Sequence, residues 1–431
     1  MERLLMNDLL KWRKKKNRKP LVIHGARQVG KTWLMKEFGR LHFDTCVYIS
    51  FDNNPRMKNV FEQDYDINRI ISALRIEHGS AFTAEGTLLI FDEIQEVPRA
   101  MTALKYFCEN APEYYIIAAG SLLGMALHEG MSFPVGKVDF LHLYPLNYYE
   151  YLLAFGENEL AELIKQKDYS LINDFSSRYV DYLKKYYYVG GMPEAVKCYL
   201  DTDDVKEVRK VQKNLLLYYE NDFSKHAPKE QIPRIQMVWN SIPAQLAKEN
   251  RKFIYGIVRE GSRAKDYEIA IQWLSDYGLI NRSMRIKKPG MPLISYMDQG
   301  SFKMYMIDVG LLAAKGNMSA KTIIEGNAIF EEFKGALTEQ FIAQELSAQN
   351  IELYYYSTEN SSGEIDFVLQ KDEFCIPVEV KATENLKAQS LKAYCRKYEP
   401  EIAIRTSMSN YRKEEWMVNV PLYLFSEYVA G

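Results

Sequence analysis

Over the first 120 residues, short apolar runs alternate with longer stretches whose apolar positions recur every three to four residues. The runs are Leu21–His24, Val47–Phe51, Leu88–Phe91 and Tyr115–Ala119. Runs of that length between helix-period segments predict buried strands of a parallel sheet covered by helices. Ahead of them, residues 1–19 predict a basic, amphipathic lead-in helix with a solvated face. Leu, Tyr and charged residues at 3–4 spacing predict helices across 155–230. Ile235–Leu246 and Asp266–Leu279 are amphipathic, and Leu279–Ile286 and Phe302–Ile307 read as strands, so helices precede a β-hairpin. Beyond about residue 328 the pattern gives a helix, Phe333–Leu346, and alternating strands Glu364–Leu369 and Phe374–Lys381. A further helix, Leu386–Tyr398, follows. The expected fold class is α/β, in three regions: 1–150, 151–327 and 328–431.

Composition adds bounds. A chain of 431 residues exceeds what a single core supports. Charged residues at 26% and hydrophobic residues at 47% are those of an ordinary soluble protein. A net charge of −2 gives no global pull towards nucleic acid and leaves only local basic patches to consider. The five cysteines include no C-x-x-C pair, so neither a zinc site nor a disulfide framework is expected. The lone His226 reads as structural, because metal binding needs clustered ligands. The basic N-terminus is not followed by a secretory apolar core, and no run nears the ~18 residues of a membrane span. A cytoplasmic protein with no membrane partner is the expectation.

The first strand leads into Gly25-Ala26-Arg27-Gln28-Val29-Gly30-Lys31-Thr32, and a helix pattern continues through Phe38. Strand, G-x4-G-K-T and helix together form a phosphate-binding P-loop: the glycines allow a tight turn whose N–H groups face a phosphate. Lys31 would reach the β- and γ-phosphates of ATP, and the Thr32 hydroxyl would coordinate Mg²⁺. About 60 residues on, the run Leu88–Phe91 ends in Asp92-Glu93. Asp92 stands where a Walker B aspartate supports the metal, and Glu93 where a base polarises the attacking water.

These residues resemble the P-loop ATPases of the AAA-like branch that insert a strand between the two Walker motifs. The resemblance implies a polar sensor after the next strand, and Ser121 fits it, with helix capping as the equal alternative. Arg27 and Arg99 are candidate arginine fingers, and spacing assigns neither. A homo-oligomer that supplies the finger from a second subunit stays open.

The resemblance narrows with Asp92-Glu93-Ile94-Gln95, the stretch from Phe133-Pro-Val-Gly-Lys137 to Pro145-Leu-Asn-Tyr-Tyr-Glu150, and Gly190-Gly-Met-Pro193. End to end, the chain is similar to a prokaryotic family that joins an AAA-like ATPase to a C-terminal restriction-endonuclease-like domain. Members often carry arginine where Lys137 stands, so Lys137 receives no catalytic role.

In the middle region the helix-plus-hairpin order is winged-helix-like. Arg263, Lys265, Arg282, Arg285, Lys287 and Lys288 could contact DNA phosphates, and an intramolecular spacer is the alternative. In the last region Asp366, Glu379 and Lys381 are expected to converge at one open sheet edge, with Glu339 contributing from its helix. That set resembles the PD-D/E-x-K nuclease core, in which Asp366, Glu379 and Glu339 would hold Mg²⁺ and Lys381 would help activate water. Two alternatives stand beside it: an Asp366–Lys381 surface ion pair, or a nuclease fold that binds without cutting. The function expected is a P-loop ATPase coupled to Mg²⁺-dependent DNA binding or cleavage. The alternative is a nucleotide-dependent switch whose last domain only binds DNA or a protein.

Overall fold

A computed structural model describes residues 1–120, 134–248, 250–324, 331–358, 363–382 and 388–430. The chain divides into two compact units, Glu2–Tyr144 and Pro145–Gly431, the latter together with Met1.

The first unit is built on a five-stranded parallel sheet. Its strands are β1 (Leu21–His24), β2 (Thr45–Ser50), β3 (Thr87–Asp92), β4 (Tyr115–Ala119) and β5 (Asp139–His142), in the order β2-β3-β4-β1-β5. Every residue of β3 is buried, as a continuous apolar run requires in the middle of a parallel sheet. β5 is absent from the apolar runs of the sequence. It is an edge strand, Asp-Phe-Leu-His, with no fully buried residue, so its pattern is too weak to stand out. Phe51, Phe61 and Phe91 meet edge to face at 5.2–5.9 Å and anchor one side of the sheet. The lead-in helix, Leu5–Lys14, buries Leu9 and Trp12 and keeps its basic side outward.

In the second unit helices run from Tyr148 to His226, as the 3–4 spacing predicts. Asn147 caps the first of them through a capping box with Glu150, which accounts for the Leu-Asn-x-x-Glu part of the recognised stretch. Gly190 and Gly191 have equally local reasons. Gly190 sits at φ 75°, and a Cβ there would lie 2.2 Å from Asp308 Oδ1. A Cβ on Gly191 would lie 2.0 Å from the Leu146 carbonyl. Pro193 opens the next helix, Pro193–Thr202.

Helices Ile232–Leu246, Tyr255–Val258 and Glu268–Asp276 precede an antiparallel pair, β6 (Ile280–Ile286) and β7 (Met297–Met306). β6 also pairs in parallel with β8 (Tyr354–Ser357), which pairs with β9 (Glu364–Ile365). This four-stranded sheet therefore draws strands from both sides of residue 327. A second sheet has the order β10-β11-β12-β14-β13, from Phe367–Lys371, Phe374–Val380, Ile404–Ser407, Val418–Pro421 and Arg412–Lys413. Its β10–β11 hairpin is antiparallel with Phe367 opposite Val378, and β11, β12 and β14 run parallel.

The helix Glu331–Ala348 crosses this unit with polar residues buried rather than exposed. The pairing of those groups explains why burial is tolerated. Gln340 exchanges hydrogen bonds with the Met306 backbone, Gln344 accepts from Val309 N, and Glu345 accepts from Tyr148 N. Among the described residues no helix is long and apolar enough to cross a membrane.

Candidate functional site

The loop from Gly25 to Gly30 leaves the end of β1 and turns into the helix Lys31–His42. Gly25 has φ 150°, and a Cβ there would lie 2.2 Å from the Leu143 carbonyl. Gly30 caps the helix in a left-handed conformation at φ 96°. Gln28 holds φ 65°, an uncommon conformation for a side-chain-bearing residue. Such a turn directs successive N–H groups and the helix start at one point. Arg3 braces the loop from outside by donating to the Val29 carbonyl at 2.9 Å. Ala26 and Val29 are buried beneath it, and Arg27 is half-buried.

Lys31 is buried and its Nζ donates to the Gly25 and Ala26 carbonyls, both at 2.9 Å. Burial lowers its pKa to about 8, against the pull of Glu93 and Asp92, with Arg27 adding to the depression. The Thr32 hydroxyl donates to Asp92 Oδ2 at 2.6 Å. Glu93 follows at φ 52°, and its Oε2 accepts from Gln95 Nε2 at 2.6 Å. A left-handed non-glycine residue costs about 1–3 kcal/mol and is kept where the fold over-determines it.

Three neighbours of this cluster lie outside the sequence motifs. The Tyr48 hydroxyl, from the strand beside β3, donates to Asp92 Oδ2 at 2.9 Å. Asp92 therefore accepts from Thr32 and Tyr48 on one oxygen and from the Glu93 N–H on the other. His24 and His142, at the ends of β1 and β5, lie 4.3 Å apart ring to ring. Burial, then His24 and Lys31, lowers the pKa of His142 to about 3, so it stays neutral beside the lysine. The pairing of β1 with β5 brings the two histidines together, and no local motif signals that.

Other predicted residues have defined places. Arg99 donates to the Phe61 carbonyl at 3.3 Å and lies 4.4 Å from the Tyr65 ring centroid. Lys137 pairs with Glu109 at 2.9 Å. Ser121 lies outside the described residues.

Thr32 and Asp92 supply a hydroxyl and a carboxylate side by side, the hard oxygen donors that Mg²⁺ selects. These residues fit the ion. They would hold it, and bound there it would neutralise charge on the β- and γ-phosphates.

The C-terminal residues have partners that the sequence spacing does not display. Glu339 is almost fully buried, and Lys303 Nζ donates to its Oε1 at 2.9 Å. Arg251 and the Tyr305 hydroxyl also bond to Glu339. Gly335, one helical turn before Glu339, leaves room for Arg251: a Cβ there would lie 2.6 Å from Nη2. Lys303, itself fully buried, also lies 2.6 Å from Glu364 and 3.9 Å from Asp366. Burial would raise the pKa of Glu339, but Arg251, Lys303 and Tyr305 hold it down at about 2. Asp366 goes the other way: burial and then Glu339 push it up to about 7.

Asp366 Oδ2 accepts from the Val380 N–H at 2.7 Å, and Lys381 pairs with Glu379 at 2.7 Å. The Phe367–Val378 pairing sets Asp366 beside Glu379 across the β10–β11 hairpin, and β11 lies inside its sheet, between β10 and β12, rather than at its edge. The alternative Asp366–Lys381 ion pair is not formed, since Asp366 has Lys303 and Lys381 has Glu379. Among the described residues no three His, Cys, Asp or Glu side chains are grouped to hold a metal. Glu339, Asp366 and Glu379 thus do not fit a divalent cation as a set, because a lysine and an arginine already supply the positive charge.

Comparisons with known proteins follow this division. A family model described as an AAA domain matches residues 17–152. Two models described as domains of unknown function, DUF8612 and DUF4143, match residues 180–322 and 334–425. Solved structures give distant likenesses. A Walker-type ATPase of Pyrococcus abyssi is 14% identical over 72% of this chain and 94% of its own, with a TM-score of 0.45. The Orc1 protein of Aeropyrum pernix, solved in complex with DNA, is 12% identical over 73% and 90%, with a TM-score of 0.26. No curated protein matches the chain. With the P-loop geometry and the family match on the same residues, the N-terminal part of this chain is an AAA-type P-loop ATPase domain that binds and hydrolyses ATP, followed by a DUF4143 domain.

Proposed function

We propose that the chain is an ATP-driven switch: hydrolysis in the N-terminal unit controls how the C-terminal half engages DNA, which that half binds without cutting. The observation that carries the ATPase reading is the Lys31, Thr32, Asp92 and Glu93 constellation at the end of β1 and β3. Lys31 leaves the loop carbonyls for the phosphates and regains full positive charge beside them. Thr32 and Asp92 would hold the Mg²⁺, and Glu93, steadied by Gln95, takes the proton of the attacking water.

For the C-terminal half, Lys303 among Glu339, Glu364 and Asp366 supports binding over cleavage. The exposed residues Arg263, Lys265, Lys287 and Lys288 supply phosphate contacts from the turn and hairpin of a winged-helix-like module. Its third helix is a poor reader of phosphates, since Glu268, Ile269 and Gln272 form its exposed side. Arg282 and Arg285 are already bonded, to Gln272 at 3.1 Å and to Asp298 at 3.1 Å.

Cleavage is the second reading. It is favoured by Glu379 Oε2, which is buried without a hydrogen-bond partner among the described residues. One experiment separates the two. Plasmid and single-stranded DNA are incubated with Mg²⁺ or Mn²⁺, with and without ATP, while phosphate release and DNA retention are followed for wild type, Lys31→Ala, Glu93→Gln and Asp366→Ala. ATP turnover with DNA retained intact supports the switch. Products that vanish with Asp366→Ala would replace it with a nuclease. DNA retention indifferent to ATP and to Lys31→Ala would end the proposed coupling.

A further inference from the structure

Within the Pro145–Gly431 unit, a cavity of about 690 Å³ is lined by the start of the helix Ser176–Val189 and by the loop and strands around β12 and β13. That volume is in the range of small-molecule sites, roughly 300–1,000 Å³. Arg405, only 2% exposed, forms part of the wall, and Arg412 stands at the more open side. A guanidinium that deep is rare unless it is paired.

Register accounts for the arrangement. Glu379, Arg405, Asn419 and Arg412 pair across four neighbouring strands, so their side chains share one face of the sheet. Arg405 Nε donates to Asn419 Oδ1 at 2.9 Å, and its Nη2 lies 3.7 Å from Glu414. Arg412 bonds to that same Glu414. Glu379 is paired with Lys381. Two guanidiniums therefore share the Glu414 carboxylate, Glu379 also attracts Arg405 but carries Lys381, and the wall keeps a net positive charge.

The surroundings are already set. Asn419 Nδ2 donates to the Ser409 and Asn410 carbonyls at 3.1 and 2.9 Å. The Tyr411 N–H donates to Asn173 Oδ1 at 3.0 Å, and its ring stacks on Tyr169 at 3.8 Å. The helix begins at Ser176 with no side-chain cap, and its positive end, with Ser176 and Ser177, lines the cavity.

We infer that this cavity binds a terminal phosphate, carried by a nucleotide-sized small molecule or by the end of a nucleic acid, with Arg405 and Arg412 as its cationic contacts. Arginine suits this because its planar fork matches phosphate oxygens in pairs. No residue of the ATPase unit takes part, so the inference stands or falls independently of the switch.

The test uses the full chain with Lys31→Ala, which disables the P-loop, and isothermal titration with four probes. These are AMP, adenosine, and a trinucleotide with either a 5′-phosphate or a 5′-hydroxyl. Saturable binding is expected only for probes that carry a terminal phosphate. Binding of AMP assigns a small molecule, and binding of the phosphorylated trinucleotide alone assigns a nucleic-acid end. Arg412→Ala, at an exposed position, should weaken binding about tenfold or more. Glu414→Gln, which releases both guanidiniums from their shared carboxylate, should tighten it. The inference is overturned if no probe with a terminal phosphate binds, if the terminal phosphate makes no difference, or if neither variant changes the affinity.

Discussion

Replacing Lys303 with methionine tests whether the C-terminal cluster is held by its own cation. The ammonium is fully buried, with carboxylate oxygens of Glu364, Glu339 and Asp366 at 2.6, 2.9 and 3.9 Å. At an effective dielectric of 20, each contact with an ionised carboxylate amounts to about 4–6 kcal/mol gross, most of it offset by the desolvation of the charges. Removing one partner leaves the others buried and under-neutralised, which costs about 3–5 kcal/mol net. For a unit of this size the melting transition should fall by roughly 6–15 °C. The assay is calorimetry on Lys303→Met, Glu339→Gln and the double variant. Because the two side chains share one contact, the double variant should lose less than the sum of the singles, by about 1–3 kcal/mol. A Lys303→Met protein within about 1 kcal/mol of wild type, or a strictly additive cycle, would refute the account.

Four further outcomes are expected. Glu93→Gln should keep ATP affinity and lower turnover by about 10²–10⁴-fold in a phosphate-release assay; unchanged turnover removes Glu93 as the base. Lys31, with its pKa lowered to about 8, is partly neutral at pH 8–9 and charged beside phosphate, so nucleotide binding should take up protons there. Titration in two buffers of different ionisation enthalpy reads that uptake, and identical heats would contradict it. Asp366, raised to about 7, keeps its proton in the folded state between pH 4 and 7 where the unfolded chain has lost it. Stability from this group therefore falls as pH rises through that window, and Asp366→Asn should melt higher than wild type at pH 8 with little difference at pH 4. Gly190→Ala combines a left-handed backbone with a Cβ 2.2 Å from Asp308 Oδ1, and should cost more than about 2 kcal/mol by thermal denaturation.

The two halves of the chain differ in how much of their chemistry is local, and that decided what could be read from the sequence. The P-loop is one continuous turn whose glycines, lysine and threonine act within eight positions, Gly25 to Thr32. Its long-range partner, Asp92, ends an apolar strand that announces itself. The neighbours Tyr48 and His142 could not be read, because strand order alone brings them to Asp92 and His24. The C-terminal set shows the opposite case. Asp366, Glu379 and Lys381 have the spacing of a catalytic motif, and spacing within one hairpin is all that the sequence displays. Their chemistry is governed by Lys303, 36 positions before Glu339, and by Arg251, 88 positions before it. Lys303 comes from β7 and Arg251 from the connection between the helices Ile232–Leu246 and Tyr255–Val258, segments whose own patterns indicate only a strand and a turn. What an acidic motif holds depends on which chain cations the fold brings to it, and that reach is a property of the fold. The same reasoning makes Lys303 the residue whose replacement most directly separates a closed ion cluster from a catalytic one.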